Sequence, residues 1–164
     1  MKRENVKLGI APIAWTNDDM PDLGAENTFY QCVSEMALAG YEGTEIGNKS
    51  PTDPAVLKHD RDVRGLSVAN SWFSAFILTK PFEEVEKEFR EKCAFLKAVG
   101  AKRVGVSEQS HSVQGQMNTP VFDCKYVMSD EEWDKFCAGL NRLGEIAKEY
   151  GITLTYHHHM GTVV

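Results

Sequence analysis

The sequence predicts an α/β fold in which parallel β-strands alternate with α-helices. Short apolar runs of strand length recur along the chain, and segments with apolar residues at helical spacing separate them. Gly40 and Gly100 directly follow two of the helical segments, and glycine is the residue that most often ends a helix. This alternation is typical of βαβ units with right-handed crossovers.

Strands are predicted where apolar runs meet loop residues, at residues 6–11, 41–46, 66–70, 103–107 and 152–156. Helices are predicted at the periodic segments, which begin at Asn27, Asp53, Phe82 and Ser129 and end at Gly40, Gly65, Gly100 and near Gly151. Asp53 and Pro54 form an N-cap followed by a proline in the first turn, and residues 129–132 (SDEE) form a capping-box pattern. The last helix is expected to bury one apolar stripe, namely Trp133, Phe136, Cys137, Leu140, Gly144 and Ala147.

The composition is that of a globular protein that binds a small ligand. Of the 164 residues, 42% are hydrophobic and 26% are charged, and no linker or low-complexity segment divides them, so one domain over residues 1–164 is predicted. The net charge of −6 argues against nucleic acid as a partner. No apolar run reaches the roughly 20 residues that cross a bilayer, and no leader pattern begins the chain. A cytoplasmic location and no membrane partner are therefore expected.

The four cysteines are predicted to be reduced thiols of the core. No Cys-x-x-Cys pair occurs, and the residues are widely spaced, at Cys32, Cys93, Cys124 and Cys137. Three of them fall in helical patterns, and free cysteine is among the residues most often buried. Disulfides and a cysteine zinc site are therefore disfavoured.

The ends of the predicted strands favour a partial (β/α)8 TIM barrel over a doubly wound sheet. The first turn, GIAP at residues 9–12, lacks the glycine pattern of a nucleotide cradle. In a barrel, the loops after the strands carry the site. Polar or aromatic residues follow every predicted strand, namely Trp15, Asn48, Lys49, Asn70, Trp72, Glu108, Gln109 and the three histidines 157–159. About five strands and four helices are predicted, whereas a full barrel needs eight strands and about 250 residues.

The three consecutive histidines are the most informative block. If the last strand continues through them, His157 and His159 share one face and His158 points to the other, because strand side chains alternate. Two imidazoles on the same side can ligate a divalent metal, bind a polyol hydroxyl or act as acid and base. We predict these roles for His157 and His159, while hydrogen bonds to neighbouring loops are the alternative.

Two carboxylates follow apolar strand segments, where a core residue would be apolar. Glu45 and Glu108 are therefore candidates for a base, a hydroxyl acceptor or a metal ligand, and a loop cap is the alternative for each. Among the substrate-binding candidates, Lys49 is placed to polarise a ketone oxygen. The remaining candidates bind hydroxyls through amides, or stack an indole on a ring, and are Asn48, Asn70, Gln109, Trp15 and Trp72.

Four blocks together closely resemble the inosose dehydratases of bacterial myo-inositol catabolism, a family of xylose-isomerase-like TIM barrels. The blocks are VKLGIAPIAW at residues 6–15, GTEIGNK at 43–49, NSW at 70–72 and YHHHMGT at 156–162. The resemblance implies a lyase that removes water from 2-keto-myo-inositol (scyllo-inosose) to give a trihydroxycyclohexane-1,2-dione. It also implies Mn²⁺ or Co²⁺, glutathione, and a cyclic polyol ketone as the small-molecule partner.

The departure from this family is length. Related barrels commonly take metal ligands from strands five to eight, so further ligands besides His157 and His159 are expected beyond Val164. The chain is therefore expected to hold part of a site, and in isolation it need not be active. An open sheet edge also leaves a homo-oligomer as an option. Two alternatives are a sugar isomerase or epimerase of the same superfamily, and a half-barrel that binds a polyol or partner chain without catalysis.

Overall fold

The computed structural model describes residues 6–164 and contains five parallel strands and four α-helices. The strands are β1 (Gly9–Ile10), β2 (Gly43–Ile46), β3 (Ser67–Ala75), β4 (Arg103–Glu108) and β5 (Thr153–Tyr156). The helices are α1 (Phe29–Leu38), α2 (Pro54–Asp62), α3 (Phe82–Ala98) and α4 (Asp130–Glu149), with a 3₁₀ turn at Pro12–Ala14. The strands are hydrogen-bonded in the order β1-β2-β3-β4-β5. The predicted α/β class and element order are confirmed.

The helix ends follow from the residues that the sequence places there. Asp53 Oδ1 accepts hydrogen bonds from the backbone N–H of Ala55 (2.8 Å) and Val56 (3.2 Å) at the start of α2. The capping box of α4 is present, because Ser129 and Glu132 each accept from the other's backbone N–H. Gly40 has a φ of 88°, the left-handed conformation that ends α1. These local signals fix where the strands can begin.

The described residues form two compact units, one of residues 6–71 with Phe95–Lys102 and the other of Trp72–Ala94 with Arg103–Val164. In the core of the first unit, Cys32, Val33 and Met36 of α1 pack with Leu66, which directly precedes β3, and Ile10 of β1 packs against them. In the second unit, α3 packs its Phe89 ring on Phe73 of β3, with centroids 4.9 Å apart. The single domain over residues 1–164 stays a prediction.

Strand boundaries differ from the prediction at β1 and β3. β1 is shorter, since its pairing with β2 covers only two residues and Pro12, which lacks a backbone N–H, follows closely. β3 is longer and runs to Ala75, because Trp72 to Ala75 pair with Gly105 to Glu108 of β4. Small side chains such as Ser74 hide the alternation of burial in this part of the sequence.

The buried stripe of α4 also differs from the prediction. The buried residues are Phe136, Gly139, Leu143, Ile146 and Ala147. Trp133 is 39% exposed and Cys137 is exposed, so both lie outside the core. The stripe is displaced because Gly139 lies against Ile77, where an added Cβ would be 2.6 Å from Ile77 Cγ2. A glycine gives no hydrophobic signal, so Gly139 was not predicted, and the predicted stripe also missed the apolar Leu143 and Ile146 on the same buried face.

All four cysteines are free, as predicted, but only two lie in the core. Cys32 and Cys93 are buried, whereas Cys124 and Cys137 are exposed. Cys124 lies in the long polar loop between β4 and α4, where no apolar layer covers it. The predicted core role is therefore wrong for Cys124 and Cys137.

Candidate functional site

In the first unit, Glu45 and Asn70 form a polar pair on two adjacent strands. The register of β2 and β3 places the two residues opposite each other, directly after an irregularity at Thr44/Glu45. Asn70 Nδ2 donates a hydrogen bond to Glu45 Oε1. Asn70 Oδ1 is buried and has no hydrogen-bond partner among the described residues. An orphaned buried acceptor costs about 1–3 kcal/mol, so a ligand hydroxyl or a water at this point would stabilise the site.

Lys49 is committed to the loop that precedes α1. Its Nζ donates to three backbone carbonyl oxygens, those of Gly24 (3.1 Å), Ala25 (2.8 Å) and Asn27 (2.6 Å). An ammonium group has three donors, and this arrangement uses all of them. Lys49 therefore holds the β1–α1 loop in this arrangement. To polarise a ketone oxygen, its ammonium group would have to release one of the three carbonyl oxygens. The backbone N–H of the adjacent Asn48 donates to Asp18 Oδ2 (3.3 Å), while the Asn48 side chain is exposed.

Trp15 begins the same loop and is half-buried against the α1 core. Its indole N–H donates to Glu35 Oε2, and this bond, together with one from Gln31, holds the pKa of Glu35 below its usual value. Its carbonyl oxygen accepts from Asn27 Nδ2 at 2.8 Å. Gly24 has a φ of 73°, and a Cβ there would lie 1.8 Å from the Trp15 oxygen, so this close turn requires glycine. The indole is therefore held in one orientation.

In the second unit, the histidine block follows the end of β5. The strand ends at Tyr156, and the His157 backbone N–H still donates to Val106 O of β4 at 2.8 Å. The rings of His157 and His159 lie side by side, with centroids 5.8 Å apart and planes 28° apart. Trp72 meets both edge-on, at centroid distances of 5.0 Å and 6.0 Å. The structure therefore brings these three predicted residues together.

His157 and His158 are exposed, whereas His159 is half-buried. The indole N–H of Trp72 donates to Ser74 Oγ at 2.8 Å, which fixes the ring that the two clustered histidines contact. We call Trp72, His157 and His159 the histidine cluster. Imidazoles in this arrangement can accept a proton, donate one or bind a metal through a ring nitrogen.

Glu108 is wholly buried at the end of β4, with 0% of its surface exposed. Its Oε2 accepts from the backbone N–H of Ile77 (2.9 Å) and its Oε1 from that of Ser110 (3.0 Å). Both oxygens are thus bonded within the protein, and the carboxylate joins the loop after β3 to the loop after β4. Gln109 Nε2 donates to Ser107 Oγ (3.1 Å) and Gln114 Oε1 (3.2 Å) in the same region.

Two residues near the histidine cluster did not follow from the sequence. Tyr156 is half-buried, burial raises the pKa of its phenol, and its hydroxyl oxygen lies 3.4 Å from the Glu108 backbone nitrogen. Thr162 is 1% exposed and bonds the backbone of His159. A threonine after a glycine in a short turn was the available signal, because its hydroxyl can bond the nearby backbone.

Within residues 6–164, no group of three or more histidine, cysteine, aspartate or glutamate side chains is arranged to hold a metal ion. The histidine cluster supplies two ring donors. None of the helices described is long and apolar enough to cross a membrane.

The strand order and the loops that carry the polar residues define a partial TIM barrel, and solved structures agree. The probable 3-DHS dehydratase involved in petrobactin synthesis from Bacillus anthracis matches with a TM-score of 0.69 and 12% identity, over 96% of this chain and 54% of that chain. A xylose isomerase-like TIM barrel/4-hydroxyphenylpyruvate dioxygenase fusion protein matches with a TM-score of 0.64 and 17% identity, over 92% of this chain and 22% of that one. At these identities the likeness shows the fold alone.

The resemblance carried by the four sequence blocks is confirmed by curated relatives. The chain is 64% identical over all 164 of its residues to a protein of Clostridium perfringens named inosose dehydratase, of which it covers 55%. The chain thus spans about half the length of the curated relatives it matches. No family model matches it.

Proposed function

We propose that this chain is part of an inosose dehydratase, a hydro-lyase that converts scyllo-inosose to a trihydroxycyclohexane-1,2-dione in myo-inositol catabolism. The observation that supports the proposal most is the 64% identity over the whole chain to a relative of that name. The matched region spans the whole chain and therefore covers the strand ends at which the candidate side chains lie. Because the chain spans about half of that relative, the activity is proposed for the full-length protein.

The reaction needs a proton acceptor beside the ketone and a proton donor at the β-hydroxyl. The base takes the proton from the carbon next to the carbonyl, the electron pair passes to the carbonyl oxygen as an enolate, and hydroxide leaves with a proton as water. We propose that His157 and His159 carry these transfers or ligate the metal. Their rings lie 5.8 Å apart between centroids, and imidazole exchanges protons near neutral pH.

We propose that Glu45 and Asn70 bind ring hydroxyls of the substrate. Asn70 Oδ1 is a buried acceptor without a partner among the described residues, and the hydrogen bond from Asn70 uses one oxygen of the Glu45 carboxylate. A polyol offers hydroxyl donors to both acceptors. Trp15 and Trp72 are proposed to lie along apolar parts of the ring, with Asn48, Lys49 and Gln109 as further binders.

Glu108 remains a candidate base only if its carboxylate is released from Ile77 and Ser110, since both oxygens are bonded to backbone N–H groups. Its burial and these bonds support a positioning role for the two loops instead. We therefore propose that His157 or His159, and not Glu108, acts as the base.

A divalent metal, Mn²⁺ or Co²⁺, is proposed to bind His157 and His159 together with ligands from the remainder of a full-length barrel. Two imidazoles fit one side of such a site and do not complete it. A bound metal would stabilise negative charge on the enolate oxygen. The use of glutathione stays a prediction of the family resemblance. A homo-oligomer also stays a prediction, and the molar mass from light scattering tests it.

The test is incubation of the full-length enzyme with scyllo-inosose, followed by absorbance of the conjugated product and by mass spectrometry. Loss of one water from the substrate supports the dehydratase. An isomeric product of unchanged mass would instead identify an isomerase or epimerase, and binding without turnover under any metal would identify a polyol-binding protein.

Matched variants assign the histidines. H157Q and H159Q are expected to lower kcat at least tenfold, and H158Q, which changes the histidine outside the cluster, is expected to leave kcat nearly unchanged. If kcat falls no further in H157Q and H159Q than in H158Q, the histidine cluster has no specific role in the reaction.

A further inference from the structure

The turn that carries His159 is closed by Thr162. The Thr162 backbone N–H donates to His159 O at 3.1 Å, and the Thr162 hydroxyl donates to the same oxygen at 2.7 Å. The His159 backbone N–H donates in return to Thr162 Oγ1 at 3.4 Å. One buried hydroxyl therefore bonds both backbone polar groups of His159.

This turn is also anchored to the β4–α4 loop. Gly161 lies between Met160 and Thr162 with a φ of 82°, and its carbonyl oxygen accepts from the Val113 backbone N–H at 2.8 Å. Ser112 Oγ lies 3.3 Å from the same oxygen. The backbone of His159 is thus held from both ends of a four-residue turn.

The imidazole of His159 is fixed by its own turn. Its Nδ1 lies 3.1 Å from Met160 O, and a carbonyl oxygen can only accept a hydrogen bond. A hydrogen bond between these two atoms therefore requires the proton on Nδ1. In the neutral ring, the other nitrogen, Nε2, then has the free lone pair. The Trp72 ring, perpendicular to the imidazole at 6.0 Å, limits its rotation.

We propose that Thr162 is a positioning residue that holds His159 in the tautomer with the proton on Nδ1. Nε2 is then presented as the ring nitrogen that accepts a proton or ligates a metal. The tautomer stands on the geometry alone, whereas its consequence for turnover rests on the proposed function. Groups that orient a functional histidine in this way typically change activity or metal affinity 10–100-fold when removed.

The test on the full 164-residue chain is nitrogen NMR of ¹⁵N-labelled histidine rings, at a pH well above the ordinary histidine pKa of about 6.5. The H159Q variant identifies the His159 signals. The expected result is a protonated Nδ1 and an unprotonated Nε2 in the unmodified chain. A proton on Nε2 of His159 would overturn the proposal directly, whatever the enzyme catalyses.

Three threonine variants separate positioning from general stability. T162V removes the hydroxyl at similar volume and is expected to mix the tautomers of His159, whereas T162S keeps the hydroxyl and is expected to restore the Nδ1 form. T155V removes an exposed hydroxyl that bonds Val104 O, and it serves as the control. An unchanged tautomer in T162V would overturn the positioning role. If T162V does not fold, the tautomer of the unmodified chain and of T162S still decides the first claim.

In the full-length enzyme, T162V is expected to lower kcat at least tenfold with little change in KM, and T162S to recover most of it. Loss of the tautomer without loss of turnover would place His159 outside the reaction and leave the positioning itself intact. Absence of any dehydration by the unmodified enzyme would instead count against the proposed function, and the NMR result would still be read independently.

Discussion

The carboxyl ends of β2 and β4 each carry a glutamate, yet the two side chains are used differently. Glu45, at β2, is half-buried and receives one hydrogen bond from the Asn70 amide. Glu108, at β4, is wholly buried and receives two hydrogen bonds from backbone N–H groups. A carboxylate at a strand end therefore bonds to the protein's own backbone when loop N–H groups converge on it. The carboxylate stays available to a ligand when only one side chain donates to it.

The largest expected effect is on stability at Glu108. E108Q replaces one charged acceptor by an amide NH₂ that faces a backbone N–H, while the second bond loses its charge. We expect a loss of about 3 kcal/mol in the free energy of unfolding, because bonds to charged groups contribute about 1.5–3 kcal/mol each. Urea denaturation measures it, with E91Q on the exposed face of α3 as the control. Equal unfolding free energies for the two variants would show that the bonds to Glu108 contribute nothing.

At Glu45 the expected effect moves from stability to binding. In E45Q the amide oxygen can still accept from Asn70, so the free energy of unfolding is expected to fall by less than about 1 kcal/mol. Binding of the polyol to the full-length enzyme is expected to weaken about tenfold, which corresponds to about 1.4 kcal/mol. Calorimetric titration compares E45Q with E42Q, a substitution at an exposed neighbour. Unchanged affinity in E45Q would end the contrast between the two glutamates.

Lys49 extends the comparison from carboxylates to a cation. K49M removes three bonds to the β1–α1 loop, and we expect amide exchange at Asn27, whose N–H donates to Gly24 O, to accelerate about fivefold. Exchange followed by mass spectrometry measures it, with K58M on α2 as the control. An exchange rate equal to that of the control would show that the three bonds from Lys49 do not hold the loop.

The smallest expected effect concerns the cysteines, which again share a residue type and differ in burial. A brief treatment with iodoacetamide at neutral pH is expected to modify Cys124 and Cys137 and to spare Cys32 and Cys93. Burial also raises the pKa of Cys93 to about 11, which lowers its reactive thiolate fraction. Peptide mass spectrometry checks this pattern, and all four thiols should react in denaturant. Rapid native modification of Cys93 would contradict the packing of α3.

The order of elements could be predicted because local signals agree with the fold. The capping box before α4, the Asp53 cap before α2 and Gly40 after α1 all act over a few residues. The pairing of His157 and His159 also followed from the alternation of side chains, although β5 ends before them.

The hydrogen-bond partners of individual polar side chains could not be predicted, because these partners lie far away in the sequence. Glu108 bonds Ile77, 31 residues away, and Lys49 bonds carbonyls 22 to 25 residues away. Backbone acceptors and donors are present at every residue, so their positions leave no trace in the side-chain pattern. The same holds for Gly139, whose contact with Ile77 depends on the absence of a side chain.

That contact gives the two glycines of α4 opposite tolerance to mutation. A Cβ at Gly139 would meet Ile77 at 2.6 Å and Phe82 at 3.4 Å, whereas one at Gly144 would meet nothing within 4 Å. Glycine inside a helix is less favourable than alanine by about 1 kcal/mol. A library selected for thermal tolerance should therefore accumulate alanine at position 144 and keep glycine at position 139. The helix thus contains one glycine whose replacement by alanine should raise stability and one whose replacement should lower it. The sequence alone does not distinguish the two.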